Sequence, residues 1–366
     1  MKRALVIGGT GPTGPFIVKG LYQRGYRVAI LHTGRHEVPE NPPELEHIHA
    51  DPFAQDTLPG ALGEREFELC IATYGRLRAI AEHLVGRTER FISVGGGPAY
   101  RGYMNPGLLQ PPGLPVPTGE AAELVREEAE DSKGWRIART EEAVFAAHPG
   151  ATHFRYPYVY GPYQPMPREW CIVRRILDGR RQIILPDGGL ALHSFGYAEN
   201  LAHAVLLALD RPQPAAGQIY NCADEETPTL RQVVEIIAES LDHRFEIVSL
   251  PAEFAIPARP LVGQLENTHR LFDLTKIRSE LGYRDVVPAC QALARTARWL
   301  VKNPPEAGGM EEVVLQDPFD YAAEDALIAN WKAALAALPE VGFETEPGYT
   351  LAYSGPGSRP RSKAFE

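Results

Sequence analysis

The chain has 366 residues, of which 44% are hydrophobic and 23% charged, and its formal net charge at pH 7 is −10. This is the balance of a globular protein with one large core or two domains, and it excludes wholesale disorder. The acidic charge disfavours nonspecific nucleic-acid binding, which needs many Lys and Arg side chains. No apolar run is long enough for a spanning helix. From these two observations we expect neither nucleic acid nor a membrane as a partner, and we expect a small-molecule substrate.

The four cysteines lie far apart and form no C-x-x-C pair (Cys70, Cys171, Cys222 and Cys290). This spacing favours free thiols in a reducing compartment, so we expect a cytoplasmic protein, and we predict no metal site. The apolar run near the N-terminus is short and leads directly into glycines. It therefore predicts a buried strand rather than a signal peptide.

The first elements along the chain are a strand, a Gly-rich turn, a helix and a second strand. Residues 4–7 are apolar, residues 8–14 read G-G-T-G-P-T-G, and an amphipathic stretch ends at Gly25 before a strand at 27–31. Further strands are predicted at 67–72, 90–94 and 152–156, with helices between them. Alternating strands and helices indicate a parallel, doubly wound sheet.

The second half combines helices with short strands. Helices are predicted at 169–178, 199–209, 230–241 and 289–302, and strands at 181–185, 218–222 and 245–248. Thr229 and Gln232 form a capping box for the third of these helices. Segment 98–120 is rich in Pro and Gly and predicts a loop over the carboxyl edge of the sheet.

The predicted fold class is α/β, a Rossmann-type doubly wound parallel sheet with a smaller C-terminal α/β substrate-binding domain. The dinucleotide-binding domain is assigned to residues 1–165, with elements returning near 190–225. Residues 166–302 form the substrate-binding region. Residues 303–366 form a C-terminal extension with a helical stretch and a polar tail.

The Gly-rich turn is the main candidate for a cofactor site. Gly8, Gly11 and Gly14 have G-x-x-G-x-x-G spacing after a predicted strand and before a helix, the context in which such spacing indicates a dinucleotide site. Glycines let the backbone approach a pyrophosphate, and the helix N-terminus supplies unpaired N–H groups. The predicted contacts are Gly8, Thr10, Gly11, Pro12, Thr13 and Gly14, with Pro12 placed just inside the start of the helix. The alternative is a purely structural turn.

The end of the second strand favours NADP over NAD. NAD sites usually carry a carboxylate there for the ribose 2′-hydroxyl, but no carboxylate precedes Glu37 in this chain. Arg35 and His36 are therefore predicted to meet a 2′-phosphate, and Thr33 is a further predicted cofactor contact. The alternative for Arg35 is a solvated surface charge. Asp51 is a candidate for the adenine or a turn former before Pro52. NAD stays open.

Several ordered motifs resemble the extended short-chain dehydrogenase/reductase family, of the NAD-dependent epimerase/dehydratase type. They are G-G-T-G-P-T-G at 8–14, F-I-S-V-G-G-G-P-A-Y at 91–100, R-Y-P-Y-V-Y-G-P-Y-Q at 155–164 and H-S-F-G-Y-A-E-N-L at 193–201. Further similar stretches lie at 217–241 and 272–283, so the resemblance covers about residues 3–300. It implies a nicotinamide cofactor and a homodimer.

The family's catalytic device is absent in its standard form. The family pairs a Ser or Thr with Tyr-x-x-x-Lys on a helix, where the tyrosine moves the proton. Here Trp135 occupies the tyrosine position and Arg139 the lysine position, and the serine slot falls near Gly95 or Gly96. The resemblance therefore leaves Tyr100, Arg139 and Ser93 as the catalytic candidates.

The same resemblance suggests further contact residues, although packing or solvation is the simpler explanation for each. Further cofactor contacts are predicted at Ala72, Thr73, Ser93, Arg139, Pro157 and Tyr158. Substrate contacts are predicted at Tyr103, Trp135, Met166, Arg168, Trp170 and His193. Five aromatic residues between Tyr156 and Trp170 suit either a core strand or a pocket for an aromatic substrate.

Three functions remain open from the sequence. The first is an NADP-dependent oxidoreductase acting on a small, aromatic or non-aromatic, carbonyl or alcohol. The second is a non-redox epimerase, dehydratase or lyase that uses bound cofactor. The third, favoured by the loss of both tyrosine and lysine, is a non-catalytic cofactor sensor or interaction protein.

Overall fold

A computed structural model describes residues 2–34, 37–39, 41–54, 57–263, 266–345 and 347. Contacts divide the chain into two units, Met1–Asp320 and Tyr321–Glu366. Within the second unit the described structure is one helix, Tyr321–Ala336, as its Ala-rich sequence predicts. No helix among the described residues has the length and apolarity to cross a bilayer.

The first unit is built on a seven-stranded parallel sheet. In chain order the strands are β1 (Arg3–Ile7), β2 (Arg27–His32), β3 (Glu46–His49), β4 (Phe67–Ala72), β5 (Thr88–Gly96), β6 (Thr152–Tyr156), β7 (Tyr158–Tyr160), β8 (Gln182–Pro186), β9 (Phe195–Tyr197), β10 (Gln218–Asn221) and β11 (Glu246–Leu250). The large sheet has the order β10-β6-β5-β4-β1-β2-β3. β7 pairs with β9 and β8 with β11, each as a separate parallel pair.

Helices cover the sheet and fill the second half of the unit. They are α1 (Gly14–Gln23), α2 (Thr57–Leu62), α3 (Leu77–His83), α4 (Ser132–Ala147), α5 (Trp170–Leu177), α6 (Ala198–Asp210), α7 (Pro212–Ala215), α8 (Leu230–Ser240), α9 (Arg259–Val262), α10 (Thr275–Leu281), α11 (Ala289–Lys302), α12 (Met310–Leu315) and α13, the helix of the second unit. The capping box predicted for α8 is present: Thr229 Oγ1 accepts from the Gln232 N–H, and the Thr229 N–H donates to Gln232 Oε1.

The fold prediction is confirmed, because the central strands are parallel and buried on both faces. Leu5, Val6 and Ile7 of β1 are 0% exposed, as expected for a strand covered by helices on both sides. β1 pairs with β2 on one side and β4 on the other. The strand order therefore reverses between β1 and β4, and ligands of such sheets bind at the carboxyl ends of the strands beside that point.

The aromatic run after residue 155 is divided between two strands. Pro157 separates β6 from β7, so Tyr156 belongs to the large sheet and Tyr160 to the small pair. The Tyr156 hydroxyl donates to the Leu201 carbonyl and the Tyr160 hydroxyl to Asp224, both in buried positions. Both rings are therefore core residues, and neither forms part of an open aromatic pocket.

Candidate functional site

The Gly-rich turn connects β1 to α1 at the reversal point. Gly8 has a φ of +99°, and a Cβ there would lie 2.4 Å from Thr73 Oγ1. A Cβ on Gly14 would lie 2.4 Å from the backbone carbonyl carbon and oxygen of Gly9. Both positions thus exclude a side chain, and the backbone takes the close-packed form that leaves room for a pyrophosphate.

The N-terminus of α1 is open to an anion. Thr13 is the N-cap residue, yet its side chain makes no capping hydrogen bond. Gly14 donates its N–H to the Gly11 carbonyl over 2.9 Å and Pro15 has no N–H, so Phe16 supplies the first helical N–H that a ligand could accept from. The helix begins at Gly14 with Pro15 in its first turn, so Pro12, predicted inside the helix, lies in the turn before it.

Residues that follow β3 and β4 lie beside the Gly-rich turn at the carboxyl ends of the parallel strands. Thr73 follows β4, and its backbone N–H donates to the Ile7 carbonyl over 3.0 Å. Asp51 lies after β3, where its carboxylate accepts from the Phe53 N–H over 2.9 Å, the turn-forming role that the sequence leaves open. Exposed Tyr74 contacts the Phe53 ring edge-on at a centroid distance of 4.8 Å.

The end of β2 carries no carboxylate directed at a ribose among the described residues. Glu37, the first carboxylate after β2, lies 3.4 Å from His47 Nδ1 and 3.9 Å from His32 Nε2. Its negative charge is therefore directed at imidazole rings. Arg35 and His36, predicted to meet a 2′-phosphate, lie outside the described residues.

The serine of β5 is enclosed. Ser93 is 0% exposed, and its Oγ lies 2.7 Å from His153 Nδ1. His153 Nε2 lies 3.5 Å from Glu141 Oε1, and both residues are buried. The order hydroxyl, imidazole, carboxylate is that of a nucleophile relay, but a relay works only if its hydroxyl reaches a substrate. The burial gives these groups a structural role.

Gly95 and Gly96 fill the serine slot of the family without a hydroxyl. A Cβ at Gly95 would lie 2.5 Å from His153 Nε2, whereas a Cβ at Gly96 would meet Pro98 Cδ at 3.2 Å. His153 therefore requires glycine at position 95. The end of β5 therefore carries no hydroxyl at these two positions.

The Tyr100 hydroxyl belongs to a buried network centred on Arg155. The Arg155 guanidinium donates to Tyr100 Oη over 2.9 Å, and Tyr100 donates to Asn221 Oδ1 over 2.7 Å. Arg155 also donates to both carboxylate oxygens of Glu141, over 2.9 and 2.7 Å. Burial raises the pKa of Tyr100, despite Arg155 beside it. A 0%-exposed, hydrogen-bonded phenol cannot contact substrate, so this geometry gives Tyr100 a positioning role.

Helix α4 carries the replacements for the family's tyrosine and lysine. Asp131 caps the helix by accepting from the Lys133 and Gly134 N–H groups. Trp135 is half-buried, and Arg139 lies 2.5 Å from Glu142 in an exposed i,i+3 pair. Arg139 and Glu142 thus form a surface pair, and the guanidinium is not held in the interior.

On the substrate side, Arg168 is 5% exposed and lies between two aromatic rings. Its guanidinium carbon is 4.1 Å from the ring centroids of both Tyr158 and Phe195. The Tyr158 hydroxyl donates to the Met166 carbonyl over 2.7 Å, which holds the loop before α5. Such stacking stabilises a cation without neutralising it.

A second buried guanidinium, Arg270, lies within electrostatic range of Arg168. It donates to His193 Nδ1 over 3.3 Å and covers the Tyr103 ring at 5.2 Å, and its buried Nε has no hydrogen-bond partner. Burial, with the charges of Arg270 and Arg168, lowers the pKa of His193 to about 3. Arg168 and Arg270 therefore place two positive charges beside aromatic rings, and one hydrogen-bond donor of Arg270 has no acceptor.

Tyr103 lies where this group meets the sheet edge. A Cβ on Gly97, just after β5, would lie 2.7 Å from Tyr103 Cε2. Within the described part of the chain the Tyr103 hydroxyl makes no hydrogen bond. Trp170, by contrast, is 2% exposed and donates through Nε1 to Glu312 Oε1 over 2.8 Å. It therefore links α5 to α12, and its ring belongs to the core.

Sequence reasoning missed Arg270, Glu141 and Arg155. Arg270 pairs with His193 through a parallel bridge between chain segments 77 residues apart, which no local pattern predicts. Glu141 and Arg155 are a buried acid and base fourteen residues apart. A signal existed only for Arg155, which lies within the strand predicted at 152–156, where a buried charge requires a partner.

Comparisons with known proteins agree with this fold. Residues 139–223 match the family model described as "NAD dependent epimerase/dehydratase family". The fold is similar to that of the crystal structure of dTDP-glucose 4,6-dehydratase from Bacillus anthracis in complex with NAD, with a TM-score of 0.64 and 16% sequence identity. It covers 83% of this chain and 98% of that one.

Curated relatives match over shorter stretches. The uncharacterized protein y4nL of Sinorhizobium fredii is 30% identical over 41% of this chain and 47% of its own length. A UDP-D-apiose/UDP-D-xylose synthase of Oryza sativa subsp. japonica is 28% identical, over 41% and 39%. A chloroplast stem-loop binding protein of 41 kDa (b) of Arabidopsis thaliana is 23% identical, over 65% and 63%. The chain thus spans less than half the length of the first two relatives.

The ordered motifs, the parallel sheet with its Gly-rich turn and the family-model match agree with one another. Residues 139–223 are therefore similar to the NAD-dependent epimerase/dehydratase family, and the chain shares the fold of the solved dehydratase.

Proposed function

We propose that this chain is an NADP(H)-dependent enzyme of the epimerase/dehydratase type that acts on a carbonyl or alcohol carbon of an anionic substrate. The observation that carries the proposal is the combination of two features. One is the Gly-rich turn at the carboxyl end of β1, and the other is a pair of buried arginines, Arg168 and Arg270, in the second half of the chain. The bound nicotinamide would supply hydride exchange. This chain's own residues would bind, orient and exchange protons.

The cofactor would be held by the turn at residues 8–14 and the uncapped N-terminus of α1. Gly8 and Gly14 leave the space that a side chain would fill, so the residues present fit a pyrophosphate. NADP is favoured over NAD because Glu37 faces histidines while Thr33, Arg35 and His36 supply no negative charge at the strand end.

The substrate is proposed to carry a phosphate or diphosphate. Neither Arg168 nor Arg270 is hydrogen-bonded to a carboxylate among the described residues, and the buried Nε of Arg270 has no hydrogen-bond partner. An anionic group on the substrate would complete the hydrogen bonds of both guanidiniums. The rings of Tyr158, Phe195 and Tyr103 would pack against its apolar faces. A nucleotide-sugar fits this description, and the rice synthase and the bacterial dehydratase are named for such substrates.

Proton transfer is assigned to Tyr103. Its hydroxyl is not engaged by the described residues, its ring lies against Gly97 at the end of β5, and a guanidinium covers the ring. Tyr100 and Ser93, enclosed as they are, would position this edge of the sheet. Arg139 would contact the cofactor ribose after leaving Glu142, and Trp135 would form a wall of the pocket.

The test measures binding first and turnover second. Fluorescence titration should give a lower Kd for NADPH than for NADH; the reverse order would overturn the cofactor assignment. Nucleotide diphosphate-sugars and small carbonyls are then followed by absorbance of reduced nicotinamide and by NMR of the sugar. Arg270→Met should raise KM for the anionic substrate about 10-fold or more while leaving NADPH binding unchanged. Absence of turnover and product with every substrate would overturn the enzymatic proposal.

Two alternatives stay in view. A non-redox isomerisation, dehydration or cleavage would change the sugar without net absorbance change, so NMR separates it from oxidoreduction. A non-catalytic binding protein is favoured by Trp135 and by the stem-loop binding relative, whose match covers 65% of this chain, a larger share than the other two curated relatives described. Binding of an RNA stem-loop without turnover would support it, although a net charge of −10 opposes such binding.

The proposal also includes a cytoplasmic location and a homodimer. The four cysteines are free thiols, three buried and Cys290 exposed, which suits the reducing cytoplasm. A homodimer, expected by family resemblance, is tested by light scattering of the purified chain.

A further inference from the structure

Three histidines and a glutamate converge at the ends of β2 and β3. They are His32, which ends β2, Glu37 from the following loop, and His47 and His49 on β3. One ligand atom from each lies within 4.8 Å of those of the other three. The sequence predicts no metal site, because the four residues lie on separate segments without a recognised spacing.

The strand register explains the convergence. His32 is paired with His49 and Ile30 with His47 in the parallel ladder. Side chains two residues apart point to one face of a strand, and paired residues of neighbouring parallel strands share that face. The three rings therefore project together, with centroid distances of 5.0, 5.0 and 6.2 Å.

The separations suit a common central ion. His32 Nε2 lies 2.9 Å from His47 Nδ1, and Glu37 oxygens lie 3.4 to 4.0 Å from one nitrogen of each histidine. In a tetrahedral site with bonds of about 2.0–2.1 Å, neighbouring ligand atoms are about 3.3 Å apart. Shifts of less than about 1 Å would therefore bring all four into coordination.

We propose that His32, Glu37, His47 and His49 form a binding site for a divalent transition metal of the Zn²⁺ class. Imidazole nitrogens with one carboxylate oxygen are a typical zinc ligand set. The side chain of His32 is 5% exposed and forms the floor, whereas those of Glu37 and His49 are 56% and 61% exposed. The ion can thus enter from solvent.

Metal binding requires one proton rearrangement. His32 Nδ1 accepts from the Gly34 N–H over 3.2 Å, so Nε2 carries the proton shared with His47 Nδ1. When the metal takes both lone pairs, the His32 proton moves to Nδ1 and the long contact with Gly34 is lost. The net charge of the ring is unchanged, and Gly34 is exposed, so water can take the place of His32 as the acceptor for its N–H.

This inference does not rest on the proposed enzymatic function. The untagged full-length protein, stripped with a chelator, is dialysed against Zn²⁺ and its metal content measured by mass spectrometry. We expect one equivalent per chain, and Co²⁺ should give the intense visible absorption of a tetrahedral site. The double variant His47→Ala/His49→Ala should bind about 100-fold more weakly or worse, because two of four ligands are gone.

Matched controls separate this site from surface binding. His243→Gln alters a half-buried histidine on the segment between α8 and β11, and Cys290→Ser removes the exposed thiol. Both should keep one equivalent of Zn²⁺. Glu37→Gln should weaken binding with unchanged metal-free unfolding. Substoichiometric binding by the wild type at micromolar Zn²⁺, or equal binding by the double variant, would overturn the proposal.

Discussion

Glu141 and Arg155 form a bidentate ion pair, with N–O distances of 2.9 and 2.7 Å, between two side chains that are 3% and 2% exposed. Burial acts to raise the pKa of Glu141, but the hydrogen bonds and charge of Arg155, with His153 nearby, outweigh it and hold that pKa below its usual value. The pair joins α4 to β6 and connects through Arg155 to Tyr100. The ion pair therefore holds α4, the helix that carries Trp135 and Arg139, against β6.

Glu141→Gln should lower the free energy of unfolding by about 3–5 kcal/mol, because it leaves the Arg155 charge buried without its counter-ion. Glu142→Gln is the matched control on the same helix. Glu142 pairs with Arg139 at an exposed position, so its loss should cost less than about 1 kcal/mol. Urea denaturation of both variants measures the difference, and equal costs would show that the buried pair is not structural.

Gly14→Ala should abolish tight NADPH binding and destabilise the fold by about 1–3 kcal/mol, since its Cβ would overlap the Gly9 backbone. Gly60→Ala is the control. Gly60 also lies in a helix, but a Cβ there meets nothing within 4 Å. The control should be neutral or stabilising by up to about 1 kcal/mol. Calorimetric titration with NADPH and thermal unfolding report the two effects, and undiminished affinity in Gly14→Ala would remove the turn from the cofactor site.

Tyr103→Phe should lower kcat about 100-fold with little change in stability, because it removes the proposed proton donor and leaves the ring in place. Tyr100→Phe should do the reverse. It removes two buried hydrogen bonds and should destabilise the chain by about 1–3 kcal/mol, with kcat of the folded protein reduced less than about 10-fold. An unchanged kcat in Tyr103→Phe would exclude Tyr103 as the donor.

His193 should make stability depend on pH. Its pKa is about 3 in the folded chain against an ordinary value near 6.5, so its contribution is present above pH 6.5. This contribution to stability is lost as the pH falls from 6.5 towards 3, because in that range His193 binds a proton in the unfolded state but not in the folded state. At pH 7, His193→Gln should cost about 1–3 kcal/mol through lost hydrogen bonds. The cost should shrink by about 2 kcal/mol at pH 5.

The comparison of variant with wild type is needed because Asp224 acts in the opposite direction. Burial raises the pKa of Asp224 to about 7, so its contribution is greatest at low pH and is lost as the pH rises through 7. Urea unfolding of wild type and His193→Gln from pH 5 to 7 cancels this shared contribution. A difference between the two proteins that does not vary with pH would contradict the assignment to His193.

Local sequence signals were sufficient to predict many of the helices and strands and the Gly-rich turn between β1 and α1. The apolar run before Gly8, the Gly-x-x-Gly-x-x-Gly spacing and the capping box at Thr229 are local features, each governed by backbone geometry within a few residues. The alternation of strands and helices then determined a parallel sheet, since successive parallel strands need crossover connections. The loss of tyrosine and lysine at positions 135 and 139 was equally visible in the sequence.

Side-chain neighbours across the fold were decided by the tertiary structure alone. Tyr100 and Ser93 were reasonable catalytic candidates by position, but burial and partners from distant strands enclose both hydroxyls. Arg270 meets His193, and His32 meets His47 and His49, because strand order and register bring separate segments together. Which groups share a site depends on distances of a few ångströms, and sequence separation carries no information about those distances until the sheet has formed.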